Sequence, residues 1–136
     1  IIQKDGIKCH CKNNGCFENY CSMRVFKENV IKILDLNESI SSEEILKLVH
    51  NSMENKMLNN YIDEYINNFI IGICNISNIM NLEVICIGGS FPYFKDILYK
   101  ELLEKYKNIT YQFEKPKIIL SQSEIDAGII GATLIK

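Results

Sequence analysis

Apolar positions recur at three- and four-residue steps through one long stretch of the chain. Met57, Leu58, Tyr61, Ile62, Tyr65, Ile66, Phe69, Ile70 and Ile73 make one side, and Asn59, Asn60, Asp63, Glu64, Asn67 and Asn68 make the other. This is the spacing of an amphipathic helix, and it predicts a helix from about Ser52 to Met80. Its tyrosine and methionine stripe reads as core packing rather than as the lining of a pocket. Gly72 costs about 1 kcal/mol relative to alanine inside a helix, which close approach of another backbone would explain. Upstream, Ser41 and Glu44 form a capping box that opens a shorter helix through His50. Ile45, Leu46, Leu48 and Val49 give that helix its apolar face, and His50 belongs at the surface or boundary.

After the long helix the pattern changes period. Leu82 to Ile87 is a β-branched apolar run ending in Gly88-Gly89-Ser90, so a buried strand and its glycine turn occupy 82–90. Pro92 suits the first turn of a helix carrying Phe94, Ile97, Leu98, Leu102, Leu103 and Tyr106. Tyr111 to Phe113 reads as a short extended piece, and Lys117 to Ser121 as a second buried strand. Ser123 caps a closing helix over about 123–135, with Ala127, Gly128, Gly131 and Ala132 on a small-residue face. Strand, glycine turn, helix, strand, helix is an α/β order with parallel strands. Two strands are too few for a stable sheet, so further strands are expected from residues before Ile1 or from a partner chain. The front of the chain is less regular. Ile1 to Lys8 reads as an extended lead-in with a turn at Asp5-Gly6, and a helix can begin over Phe17 to Val25. Phe26 to Ile40 has no clean period and reads as a short helix plus loop.

With 136 residues, 47% hydrophobic and 24% charged, the chain can bury one core, and 1–136 is expected to be a single domain. Fifteen basic and seventeen acidic residues give a net charge of −2, which offers no electrostatic basis for binding nucleic acid or an anionic membrane. The most apolar stretch, Phe69 to Met80, is interrupted by Asn75, Ser77 and Asn78 and falls short of the ~20 residues of a membrane span. No signal-peptide pattern opens the chain, so a cytoplasmic location is expected. The first residue is Ile1 rather than methionine, as expected of a piece of a longer chain.

The candidate chemistry lies in Cys9-His10-Cys11-Lys12-Asn13-Asn14-Gly15-Cys16-Phe17-Glu18. Gly15 can take a positive φ cheaply, which folds the chain back and brings Cys16 to Cys9 and Cys11. Three thiolates from one tight loop suit zinc, and a closed site needs a fourth ligand from elsewhere. Unligated thiols and a disulfide are the alternatives; a disulfide is disfavoured where thiols are kept reduced. His10 would strain the backbone by binding alongside both neighbours and is not counted as a ligand. Glu18 follows Cys16 closely enough for the loop to hold its carboxylate in place. A second candidate is Gly88-Gly89-Ser90, at the end of a strand where open α/β sheets bind ligands, although such turns also occur without one.

These residues resemble the ROK family of bacterial sugar kinases and sugar-responsive repressors. Cys9, Cys11, Gly15, Cys16 and Glu18 match its C-x-C-G-x-x-G-C-x-E loop, with Lys12 in place of the first glycine. Gly72-Ile73-Cys74-Asn75 and Asn81 to Gly89 resemble its G-L-A-N…N-P-E-V-I-V-L-G-G-G block, with Leu82 and Ser90 as departures. Asp126 to Ala132 resembles its closing A-G-L-I-G-A-A helix. The resemblance implies the C-terminal portion of an actin-like, ribonuclease-H-like ATPase domain with a zinc loop over 9–22. It implies zinc on Cys9, Cys11 and Cys16, with a histidine before Ile1 as fourth ligand. It further implies sugar binding by Glu18, and ATP with Mg²⁺ bound between two lobes, the adenosine lying against Gly88, Gly89 and Ser90. The family's D-x-G-G-T phosphate loop and catalytic aspartate have no counterpart among these residues, so no catalytic residue is assigned. The expected function is therefore the C-terminal lobe of an ATP-dependent hexose or amino-sugar kinase, inactive alone. The alternative is the sensing domain of a repressor, which would bind DNA only through a helix-turn-helix elsewhere; a ligand-free, zinc-stabilised assembly module is a third reading. Strands without neighbours and with open edges predict a homo-oligomer.

Overall fold

The computed structural model describes residues 1–109 and 114–122. The chain forms two compact units, Ile1–Cys74 and Asn75–Lys136. The expected extended piece at Tyr111 to Phe113 and the closing helix over 123–135 lie outside the described residues.

The first unit holds a loop followed by α1 (Glu18–Cys21), α2 (Met23–Ile33), α3 (Ser42–Asn51) and most of α4 (Lys56–Met80). The region read as a short helix plus loop holds most of α2, a regular helix of 11 residues that begins earlier, at Met23. Its Ser22 cap accepts from the Val25 N–H at 3.3 Å, and Phe26 and Val30, one turn apart, are fully buried. Asn29 escapes the cost of a polar group on a partly buried face by donating to the Val25 carbonyl at 2.9 Å. The helix closes with Asp35 at φ 51 and the Leu36 N–H reaching back to the Ile31 carbonyl at 2.9 Å. That is a Schellman closure with aspartate where glycine is usual.

The capping box of α3 is present in both directions, Ser41 Oγ accepting from the Glu44 N–H at 3.2 Å and Glu44 Oε2 from the Ser41 N–H at 3.0 Å. Ile45 and Val49 point inward and His50 is exposed. In α4 the apolar side is buried at Leu58, Ile62, Tyr65, Ile66, Ile70 and Ile73. The helix starts at Lys56 rather than near Ser52, because Asn55 Oδ1 accepts from the Met57 and Leu58 N–H groups and so fixes the first turn. Met57, read as part of the apolar stripe, is exposed in that first turn. Gly72 is also explained differently from expectation. A Cβ there would strike the Phe17 ring, so the close neighbour is an aromatic side chain and not a backbone.

Aromatic rings join these helices. Phe17 meets Phe69 at 5.7 Å between centroids, Phe69 meets Tyr65 at 6.2 Å, and Tyr65 meets Phe26 at 5.0 Å. The buried Tyr65 hydroxyl donates to the Cys21 carbonyl at 2.8 Å, which ties the end of α1 to α4.

In the second unit, β1 (Val84–Ile87) runs parallel to β2 (Lys117–Leu120), in register Ile85↔Ile118 and Cys86↔Ile119. A 3₁₀ turn at Phe91–Phe94, with Pro92 near its start, leads into α5 (Lys95–Lys107), the crossover between the strands. Ile87, Phe91, Phe94, Ile97, Leu98, Leu102, Tyr106 and Ile118 form this unit's core. Tyr99 and Tyr106 donate their hydroxyls to the carbonyls of Ile118 at 2.9 Å and Pro116 at 3.0 Å, which pins α5 to β2 and its approach. Among the described residues the sheet has two strands.

Candidate metal centre

The lead-in does not run extended past the loop; it folds over it. The Ile2 N–H donates to the Gly15 carbonyl at 2.8 Å, the Gly15 N–H donates to Ile7 at 2.9 Å, and Lys8 bridges Asn14 antiparallel. Gly15 takes φ +69, and a Cβ at this buried position would overlap the Gln3 carbonyl. Glycine is therefore required twice, by the backbone angle and by the carbonyl lying where a side chain would begin. A second turn is closed by Cys9 N–H to Asn13 at 2.8 Å and Lys12 N–H to Cys9 at 3.0 Å. Lys12 adopts φ 73, the conformation that glycine takes most cheaply, so the lysine occupies the left-handed turn without abolishing it.

The two turns bring together the sulfurs of Cys9, Cys11 and Cys16, all within 4.8 Å of one another. The Cys11 and Cys16 sulfurs are 3.4 Å apart, and no cysteine of the chain is in a disulfide. Tetrahedral zinc with Zn–S bonds of ~2.3 Å separates its sulfurs by ~3.8 Å, so the three thiols fit such an ion with small side-chain adjustments. Cys9 is buried, Cys16 half-buried and Cys11 exposed, which leaves the cluster open on the Cys11 side. The Asn13 backbone hydrogen bond and then the Cys16 thiol lower the Cys11 pKa to about 7. Cys16 is raised to about 11, chiefly because its proton is held in the hydrogen bond to Cys11. Near neutral pH the loop thus offers a thiolate, the form that binds metal.

Glu18 is the first residue of α1 and is exposed. Its carboxylate lies in a second group, with the Cys9 sulfur and a ring nitrogen of His10, again within 4.8 Å. His10, discounted on backbone strain, thus approaches the Cys9 sulfur, with its Nδ1 3.6 Å away, as well as Glu18. Three supporting residues were not apparent from the sequence. Asn19 donates to the Ile7 and Lys8 carbonyls, and the Tyr20 hydroxyl accepts from the Ile7 N–H at 2.7 Å. Phe17 fills the space over Gly72. All three sit within four residues of Cys16, and nothing in the pattern of a four-residue helix marks them.

Gly88-Gly89-Ser90 leaves β1 at its carboxyl end. Gly89 has φ +64, and a Cβ there would meet nothing within 4 Å among the described residues, so the backbone is open to them on that side. A Cβ at Gly88 would be in ordinary contact with Ser121, whose N–H donates to the Ile87 carbonyl at 2.8 Å. No helix among the described residues is long and apolar enough to cross a membrane.

Parallel strands joined through a helix, with a glycine turn at the strand end, define an α/β protein, and the first unit adds a three-thiol loop. A profile of the ROK family matches residues 1–136, and the chain belongs to that family. It is 29% identical over 130 residues to an N-acetyl-D-glucosamine kinase of Photobacterium profundum, covering 93% of this chain and 41% of the kinase. It is 25% identical over 134 residues to a xylose repressor of Caldicellulosiruptor bescii, covering 90% of this chain and 34% of the repressor. Among solved structures, a ROK hexokinase from Thermus thermophilus superposes with a TM-score of 0.77 at 19% identity, covering 97% of this chain and 45% of the hexokinase. A ROK family transcriptional regulator, a homolog of the E. coli MLC protein, gives 0.64 at 24% identity over 88% of this chain and 32% of its own. The chain therefore spans less than half the length of each of these relatives.

Proposed function

We propose that this chain is the C-terminal part of an ATP-dependent sugar kinase, built on an actin-like fold. The observation that carries this reading is the convergence of Cys9, Cys11 and Cys16 immediately before Glu18. A metal-closed loop gives that carboxylate one position, and a carboxylate accepts hydrogen bonds from two neighbouring sugar hydroxyls at once. Zinc fits the soft, tetrahedral demand of the three thiols, with its fourth ligand upstream. Gly88, Gly89 and Ser90 would lie against the nucleotide, and the open backbone at Gly89 supports that role. In the whole protein a sugar hydroxyl would attack the γ-phosphate of ATP, with Mg²⁺ neutralising charge on the phosphates. The phosphate loop and the general base would come from residues outside this chain, so the chain alone would not phosphorylate sugar. The named kinase relative, 29% identical, favours an amino sugar or hexose as substrate. A cytoplasmic, homo-oligomeric protein completes the reading.

The second reading is a sugar-sensing domain of a repressor, favoured by the 25% identity to the xylose repressor. The thiol loop and Glu18 serve both, since each binds sugar. Calorimetric titration of N-acetylglucosamine, glucose and xylose into the full-length protein, wild type and Glu18→Ala, tests the shared core. Loss of Glu18 should weaken binding of the recognised sugar by ~1.5–3 kcal/mol per hydrogen bond and leave folding nearly unchanged. Equal affinities would reduce Glu18 to a charge at a helix start. ATP-dependent phosphorylation of the bound sugar separates kinase from repressor; sugar binding without turnover, together with sugar-sensitive DNA binding, would sink the kinase reading.

A further inference from the structure

The loop places two sulfurs in contact and exposes one of them. Cys11 and Cys16 stand 3.4 Å apart, and Asn13 Nδ2 donates to the Cys11 sulfur at 3.5 Å. Cys11 is exposed and Cys16 is half-buried, whereas Cys9 is only 6% exposed and Cys21 5%. The pair is brought together by Gly15, whose conformation is locked by the Gln3 carbonyl, so the contact belongs to the fold of the loop. A disulfide needs its sulfurs at ~2.05 Å, so the pair must close in from 3.4 Å to form one.

We propose that Cys11 and Cys16 are a redox modification site, forming a reversible disulfide that excludes metal from the loop. Hydrogen peroxide serves as the oxidant. The Cys11 sulfur attacks one peroxide oxygen and the O–O bond breaks, giving a sulfenic acid and one water. The Cys16 sulfur then attacks the Cys11 sulfur and displaces the second water, forming the S–S bond. Two thiols lose two electrons and two protons in all, and peroxide is reduced to two waters. A metal binds thiolates, so the disulfide withdraws two of the three loop sulfurs from it. Bound metal in turn occupies both sulfurs and protects them. The modification therefore links the oxidation state of the surroundings to the geometry of the loop that carries Glu18. It rests on the thiol contact, not on whether the protein is a kinase or a repressor.

The test uses the whole chain, stripped with a chelator, treated with hydrogen peroxide and digested with trypsin without reduction. Cleavage after Lys8, Lys12 and Arg24 puts Cys11 on the peptide 9–12 and Cys16 on the peptide 13–24. Mass spectrometry should find these two peptides joined, and dithiothreitol should part them. The link should persist in Cys9→Ser and Cys21→Ser and be lost in Cys11→Ser and Cys16→Ser. In the wild type, alkylation in denaturant after oxidation should label Cys9 and Cys21 and spare Cys11 and Cys16, which keeps the test independent of how the variants fold. Peptides that stay separate, or a link through Cys9 or Cys21, would overturn the assignment. Zinc-loaded protein should be oxidised more slowly and should release its zinc to a chromogenic chelator as the link forms. Equal rates with and without zinc would overturn the exclusion of metal.

Discussion

The thiol loop and the glycine turn both rest on a glycine in the left-handed region, yet they are held in opposite ways. At Gly15, φ +69, the space a Cβ would take is filled by the Gln3 carbonyl, and backbone hydrogen bonds from Ile2 and to Ile7 close around it. At Gly89, φ +64, none of the described residues fills that space. The first glycine is demanded by its own chain, and it fixes three sulfurs before any ligand arrives. The second is demanded only by the backbone angle, and it leaves a stretch of main chain unopposed. Pre-arrangement lowers the ordering cost of capturing an ion, whereas an open backbone is what a flat ligand needs in order to lie close.

Substitutions at these turns can break the contrast or sharpen it. Gly15→Ala should have the largest effect, because it adds left-handed strain of about 1–2 kcal/mol to an overlap costing about 1–3 kcal/mol. Denaturant unfolding should show the sum as lost stability, and competition with a chelator should show weaker metal binding. A loss below 1 kcal/mol would mean that the Gln3 carbonyl yields easily. Gly89→Ala carries only the strain, about 1–2 kcal/mol, with no collision. A loss as large as that at Gly15 would show that the turn is packed after all, and titration of ATP into the full-length protein reports whether the added methyl obstructs the nucleotide. Lys12→Gly should go the other way and stabilise by about 0.5–1 kcal/mol, the left-handed cost removed less the extra freedom glycine gains when unfolded. No gain in the melting curve would mean that the lysine side chain contributes as much as its backbone costs.

Much of this architecture can be read in the sequence wherever the determining residues are neighbours. The Ser41–Glu44 box, the periodic body of α4 and the strand leading into Gly88 are all set by residues within a few positions of one another. The thiol convergence was legible for the same reason, since Gly15 lies next to Cys16. What escaped depends on partners distant in sequence or on single polar side chains. Asn55 starts α4 later than its apolar period suggests, because the period says nothing about which side chain satisfies the first N–H groups. The helix α2 begins at Met23, ahead of the short helix read within 26–40, and its Asn29 amide is satisfied by its own helix. Gly72 signalled a close neighbour without naming it, and the neighbour is a ring from the loop. The lead-in has the turn read at Asp5-Gly6, but its partners Gly15, Asn19 and Tyr20 lie beyond the loop and are reached only after it has folded back.

The seat of Phe17 over Gly72 also has a bearing on the order of events during synthesis. The cysteines leave the ribosome before the α4 residues that back the loop. Until α4 has formed and docked, Phe17 has nothing to press against, and Tyr65 cannot reach the Cys21 carbonyl. The loop's own turns bring the thiols together, whereas its backing against α4 is long-range and forms later, because a large loop must first be closed. The docking of α4 is accordingly a finishing step, one that steadies a loop whose thiols its own turns have already gathered.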